Sequence, residues 1–173
     1  NGVFSGRGQA IIDAAKSANI NEMYLMAHIM TETAWGTSDQ AQGRDFATGN
    51  ATIKLNGKYY TKWCDAGRYY NFIGWGAYDS NPDTAYDFSR YYGWNSIESA
   101  LMGAAEKVAS NYLYSGQETV YEMRWNPDAA SLGRVHQYCT DINWARTISS
   151  IMGYNYRLIG VTPSLSYRVP KYM

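Results

Sequence analysis

The stretch "NEMYLMAHIMTETAWGTS", residues 21–38, predicts a helix that closes on an acidic residue. Asn21 is a typical N-cap residue and Glu22 follows it in the electropositive first turn, so we expect the helix to begin there. Gly36 is expected to stop the helix, which then covers about 22–34. Near that end stands Glu32, the one carboxylate in a run of otherwise apolar or small residues.

The spacing of apolar residues predicts two sides for this helix. The side expected to be buried carries Met23, Met26, Ala27 and Met30, and the other side carries Tyr24, His28, Thr31, Glu32 and Trp35. An acid among apolar neighbours tends to stay protonated near neutral pH, which is what a general acid requires. The alternative is that Glu32 caps or salt-bridges the helix end, and spacing alone does not choose between the two roles.

Outward from this helix, the sequence predicts one β-hairpin and several further helices. Asn56-Gly57 fits the two positive-φ positions of a type I′ turn between alternating arms, so "ATIKLNGKYYTKW" (51–63) predicts a hairpin. The other expected elements are a helix over 8–18, a loop over 40–49, a long ordered loop over 68–88, a helix capped by Ser96, a short helix over 119–125 and a last helix from 140 or 141 to Gly153. These elements predict a mainly α domain with a small β element (α+β).

Composition restricts the class of protein. The 173 residues fit one compact domain, and Lys plus Arg equals Asp plus Glu at 15 each, with no basic stripe, so nucleic acid is not expected as a partner. No apolar run reaches the ~18 residues of a membrane span. Aromatic residues make up 16% of the chain, with 17 Tyr and 6 Trp; they are either core residues or a surface that stacks on flat ligands such as sugar rings.

Among the residues that could act in catalysis, the carboxylates are the main candidates. Cys64 and Cys139 lie far apart and show no metal spacing, so we expect two free thiols, no metal and no cofactor; one disulfide remains the alternative. His136 and Cys139 allow a weak Cys/His nucleophile interpretation. A glycosidase usually pairs its acid with a second carboxylate ~5 to 10 Å away. By residue type that partner could be Asp65, Asp79, Asp87 or Asp141, of which the last three are also ordinary turn or cap residues.

Four segments, in order, resemble one enzyme family. "HIMTETAWGTS" resembles the H-x-x-x-E-T-x-x-G-x-S signature of the glucosaminidase domains of bacterial autolysins, glycoside hydrolase family 73. "YYNFIGWGAYDSNP", the stretch from "GWNSIESALMGAA" to "MRWNP", and "HQYCTDINWA" resemble three further segments of that family. The resemblance covers most of the chain and is greatest to Gram-positive autolysins, clostridial ones included.

The resemblance implies a lysozyme-like helical domain with a small β-hairpin lobe, about 50–78, flanking an active-site cleft. It implies hydrolysis of the β-1,4 bond between N-acetylglucosamine and N-acetylmuramic acid in peptidoglycan, with Glu32 as the general acid and Tyr138 near the reacting sugar. Asp65 is a candidate second carboxylate. The remaining residues that it implies at the substrate are Asn71, Phe72, Tyr78, Trp125, Gln137 and Asp141. For Phe72 and Trp125 the alternative is a place in the core.

Two mechanisms and two other functions stay open at this stage. A distant base carboxylate would give direct attack by water with inversion, whereas attack by the substrate's own N-acetyl oxygen, held by Tyr138 and Asn71, would give retention. The scarcity of an obvious second acid favours the substrate-assisted route. The alternatives in function are a muramidase, which cuts the other glycan bond, and a non-catalytic module that binds wall sugars. We expect residues 1–173 to be a single catalytic domain of a longer modular protein, secreted to the cell wall and monomeric.

Overall fold

A computed structural model describes residues 2–78, 80–126 and 137–169 of the chain. The chain divides into two compact units, Asn1–Lys107 and Val108–Met173. The expectation of a single domain stays a prediction, and each unit is described by itself. Asp79 and His136, both candidates from the sequence, lie outside the described residues.

The first unit is built mainly from helices. They are α1 (Gly8–Ser17), α2 (Glu22–Glu32), α3 (Asp39–Gln42), α4 (Thr84–Tyr92) and α5 (Ile97–Asn111), of which the last continues into the second unit. Asn21 caps α2 as predicted, because its side-chain oxygen accepts a hydrogen bond from the Tyr24 amide. Ser96 likewise accepts from the Ser99 amide at the start of α5.

Two antiparallel pairs of strands complete this unit. Strands β2 (Gly49–Leu55) and β3 (Lys58–Cys64) form the predicted hairpin, with Asn56 and Gly57 both at positive φ in the turn. Strand β1 (Arg44–Phe46) pairs with β4 (Gly67–Tyr69). Helix α4 packs on the hairpin, where the Cys64 thiol donates to the Arg90 carbonyl and the Arg90 guanidinium donates to the Gly49 carbonyl.

The second unit contains a short 3₁₀ helix (Leu113–Ser115), α6 (Val120–Trp125) and α7 (Trp144–Leu158). Helix α6 matches the predicted short helix and begins with a reciprocal capping box between Thr119 and Glu122. Helix α7 begins and ends later than predicted, since Asp141 belongs to the turn before it.

Other sequence-based expectations about local structure were also wrong. Helix α2 ends at Glu32, and its fully buried residues are Leu25, Ala27, His28 and Ile29, while Met23, Met26 and Met30 are only half-buried. The predicted loop over 40–49 holds part of α3 and β1, and the predicted loop over 68–88 holds the end of β4 and the start of α4. These short elements are stabilised by tertiary pairing, which local sequence patterns do not reveal.

The observed architecture confirms the predicted fold class, a mainly helical protein with a small antiparallel β element. In the ranges that the structure describes, no helix is both long enough and apolar enough to cross a membrane.

Candidate active site

Glu32 is the last residue of α2 and sits where the helix gives way to an irregular turn. Its side chain is 24% exposed, so the carboxylate is accessible yet shielded on most sides. This placement is compatible with a general acid and differs from that of a fully solvated surface carboxylate.

The neighbour one turn before Glu32 is a neutral histidine. His28 is completely buried, and burial lowers the pKa of its imidazole to about 3. Its Nδ1 lies 2.8 Å from the Tyr24 hydroxyl and its Nε2 lies 3.8 Å from Glu32 Oε1. Because the ring is uncharged at neutral pH, the approach of the His28 ring to Glu32 is not an ion pair.

An unusual turn follows the acid. Ala34, Trp35 and Gly36 all have positive φ (47°, 61° and 77°), although only glycine adopts this conformation without steric cost. Buried Thr33 supports the turn, because its hydroxyl accepts from the Gly36 amide and its carbonyl accepts from the amides of residues 36–38. The turn therefore stores backbone strain directly beside Glu32, a feature often found at functional sites.

The N-terminal segment packs against this turn. The Val3 amide donates to the Gly36 carbonyl at 3.2 Å, and a Cβ placed on Gly36 would come within 2.8 Å of the Phe4 ring. Phe4 in turn packs edge-on against Phe72, with ring centroids 4.9 Å apart. Chain segments distant in sequence thus hold the position of the turn that ends α2.

Asn71 and Phe72, implied at the substrate, are both buried. The Asn71 side chain donates to the carbonyls of Trp75 and Ala85 and accepts from the Trp75 amide, so it fastens the loop after β4 to the start of α4. The structure gives both residues an internal role, and their contact with a sugar stays a prediction.

Tyr78 is half exposed and lines a cavity of about 590 Å³. The hairpin contributes Thr52, Lys54 and Tyr59 to the same cavity, and α4 contributes Thr84 and Phe88. Tyr78 is therefore placed where an extended ligand could reach it from the hairpin.

The candidate second carboxylates occupy different places. Asp65 is exposed between β3 and β4, and its carbonyl accepts from the Tyr69 hydroxyl. On α4, burial raises the pKa of Asp87 while the neighbouring Arg90 lowers it. Asp141 is exposed and its carboxylate accepts from the Asn143 amide, as expected of a turn residue. The catalytic role of Asp65 stays a prediction.

In the second unit, three of the implied substrate residues meet at a buried arginine. Arg124 donates from Nε to the Asp141 carbonyl (2.6 Å) and from Nη1 to Gln137 Oε1 (3.5 Å), and its guanidinium lies over the Trp125 ring, 4.1 Å from the centroid. Sequence reasoning missed Arg124 because a basic residue on a short helix looks like a surface residue. The "MRWNP" segment was the signal that could have identified it.

Tyr138 is held by rings on two sides. It stacks on Trp144 with centroids 4.6 Å apart, and Tyr112 packs against it at 5.5 Å. The Tyr138 amide donates to the Met123 carbonyl, so the segment of Gln137 and Tyr138 runs alongside α6. The predicted role of Tyr138 near the reacting sugar stays untested.

The two cysteines are free thiols, as predicted. Cys64 is buried under α4 and Cys139 is half-buried.

Known proteins similar to this chain agree on one class, lysozyme-like enzymes that hydrolyse glycosidic bonds. A family model described as glucosaminidase (mannosyl-glycoprotein endo-beta-N-acetylglucosaminidase) matches residues 8–157. Bifunctional autolysins of Staphylococcus epidermidis and Staphylococcus aureus are 36% and 35% identical over 172 residues, 99% of this chain. The chain spans only 12% and 13% of the length of these curated relatives.

Solved structures show the same relationship in three dimensions. S. aureus autolysin E in complex with the muropeptide NAM-L-Ala-D-iGlu matches with a TM-score of 0.72 and 30% identity, over 97% of this chain and 67% of that one. A catalytic mutant of autolysin E, with a glutamate replaced by alanine and the disaccharide NAG-NAM bound, matches with a TM-score of 0.68 and 30% identity, over 93% and 64% of the two chains. The chain belongs to the glucosaminidase family and is a glycoside hydrolase, which confirms the family and the enzyme class expected from the sequence.

Proposed function

We propose that this protein hydrolyses the β-1,4 bond between N-acetylglucosamine and N-acetylmuramic acid in peptidoglycan, with Glu32 as the general acid. The observation that carries the proposal is the partly shielded carboxylate at the end of α2, in a chain of the glucosaminidase family. Autolysin E, which is similar to this chain, binds a muropeptide and the disaccharide NAG-NAM, and its catalytic mutant replaces a glutamate.

The chemistry assigned to Glu32 is protonation of the leaving glycosidic oxygen. We assign the stabilisation of the reacting sugar to Tyr138, whose ring stacks on Trp144, with the substrate's N-acetyl oxygen as the nucleophile. The competing assignment is direct attack by a water molecule activated by Asp65. The anomeric configuration of the first product distinguishes them, since the first route retains and the second inverts it.

A pair of variants on one helix tests the role of the acid. Glu32→Gln preserves shape but cannot donate the proton, so we expect the rate of clearing of a peptidoglycan suspension to fall about 10²- to 10⁴-fold. Glu22→Gln changes an exposed carboxylate in the first turn of α2 and is expected to keep nearly the wild-type rate. Clearing by Glu32→Gln at the wild-type rate would exclude Glu32 as the acid.

Product analysis tests the bond. Mass spectrometry of reduced fragments should show the new reducing end on N-acetylglucosamine. A reducing end on N-acetylmuramic acid would instead make the protein a muramidase.

We further propose that the protein acts outside the cell, at the bacterial wall, as a monomer. The autolysin relatives support action on the wall. Light scattering on the purified chain tests the monomer: a dimer mass at micromolar concentration would contradict it.

A further inference from the structure

The β2–β3 hairpin presents one face whose side chains are all exposed. Its register places Asn50, Thr52 and Lys54 opposite Trp63, Thr61 and Tyr59, and we call these six residues the outer hairpin face. The alternate residues, Ala51 and Ile53, are buried on the other side.

Two aromatic side chains dominate the outer hairpin face. Tyr59 is 72% exposed and Trp63 is 65% exposed. They stand four residues apart on β3, about 13 Å at the rise of an extended strand. Between them the hydroxyl oxygens of Thr52 and Thr61 lie 2.9 Å apart. Flat apolar rings alternating with hydroxyl groups suit a polymer of sugar rings, which has apolar ring faces and a polar edge.

The charge of the hairpin indicates which kind of sugar polymer it favours. The hairpin, residues 49–64, contains no acidic residue and three lysines, of which Lys54 lies on the outer hairpin face, while Lys58 and Lys62 pair with Leu55 and Ala51 on the other side. Lys54 Nζ lies 5.4 Å from the centroid of the Tyr59 ring, so a positive charge stands beside an exposed aromatic residue. This local field favours a glycan that bears carboxylates over a neutral one.

The outer hairpin face also continues into the cavity that Tyr78 lines. Thr52, Lys54 and Tyr59 belong to both. The part of the outer hairpin face that carries Tyr59 therefore borders the same cavity as Tyr78.

We propose that the outer hairpin face is a binding surface for the peptidoglycan glycan strand, with Tyr59 and Trp63 stacking on sugar rings and Lys54 attracting the carboxylates of the stem peptides. This inference rests on the proposed function and adds to it the part of the molecule that holds the polymer.

The test measures binding without turnover. In the Glu32→Gln background, the double variant Tyr59→Ala/Trp63→Ala should bind insoluble peptidoglycan about tenfold more weakly in a sedimentation assay. Tyr59→Phe/Trp63→Phe keeps the rings and should bind substantially better than the alanine pair. The matched control is Tyr114→Ala/Tyr167→Ala, two tyrosines that are 71% and 78% exposed elsewhere, and its binding should be unchanged. Thermal melts check that all variants remain folded.

Steady-state kinetics should show the same effect of the hairpin residues on binding. With Glu32 intact, the alanine pair should raise the apparent KM for peptidoglycan by a larger factor than it changes kcat. Lys54→Gln should weaken binding to peptidoglycan and reduce its salt dependence, with no effect on binding to chitin, which is neutral.

Three results would overturn the proposal. They are unchanged binding by the alanine pair, an equal loss in the control pair, and binding that disappears when phosphate-bearing wall polymers are stripped from the peptidoglycan. Because binding is measured on Glu32→Gln protein, failure here is distinguishable from failure of Glu32 as the acid.

Discussion

At the scale of single residues, the last turn of α2 combines a neutral base with the candidate acid. His28 is buried against Tyr24, and its Nε2 lies 3.8 Å from Glu32. The sequence predicted that His28 and Glu32 share a side of the helix, since they are separated by one turn. It did not reveal that His28 is fully buried, because burial depends on the chain segments that cover α2.

The burial of His28 predicts acid sensitivity of the fold. Its pKa is about 3 in the folded protein against 6.5 when exposed, so between these values the unfolded chain binds more protons and stability falls as pH drops. The slope from this group approaches about 1.4 kcal/mol per pH unit in that window. Urea unfolding from pH 7 to pH 4 should show a smaller loss for His28→Gln than for wild type. Equal losses in the two proteins would contradict the assigned burial.

At the scale of elements, the hairpin could be predicted from local sequence, whereas the conformation of the turn after α2 could not. Asn56-Gly57 predicted the hairpin because few residue pairs tolerate two positive φ values. By contrast, nothing in "TAWG" indicates that Ala34 and Trp35 adopt positive φ as well. That conformation is stabilised by Thr33 and by the packing of Val3 and Phe4, none of which a local pattern predicts.

Alanine substitutions at two turn glycines, Gly36 and Gly57, distinguish the cost of backbone strain from the cost of displaced packing. In Gly36→Ala, the alanine is strained by the positive φ and its Cβ also displaces the Phe4 ring. We therefore expect a loss of about 2 kcal/mol or more in the free energy of unfolding. Gly57→Ala has the same sign of φ (78°) and no atom of the described chain within 4 Å, so it should cost only about 1 kcal/mol. Chemical denaturation measures both. A cost at Gly36 no greater than that at Gly57 would argue against the packing of the N-terminal segment.

At the scale of the whole molecule, the chain carries no formal net charge and its two cysteines are not bonded. Positive and negative side chains balance, so any attraction to an anionic polymer depends on where the lysines lie and not on net charge. Neither cysteine forms a disulfide, and stability therefore comes from packing and hydrogen bonds.

The free thiols predict indifference to reduction. A reductant should leave the Tm unchanged, and in the native protein a thiol reagent should modify Cys139 faster than Cys64, which lies buried under α4. Thermal melts and mass spectrometry of labelled protein measure these outcomes. A Tm lowered by reductant would indicate a disulfide.

The sequence by itself determined the helical class, the hairpin, the family and the candidate acid, because caps, turn glycines and motif spacing act over a few neighbouring residues. Only the tertiary structure decided that Asn71 and Phe72 are buried. It also decided that Arg124 contacts Gln137, Trp125 and Asp141. It placed Tyr59 and Trp63 on one exposed face of the hairpin, with Tyr59 also lining the cavity that Tyr78 lines. The physical reason is that burial and strand register arise from segments far apart in the chain, whose pairing is decided by the packing of the whole fold.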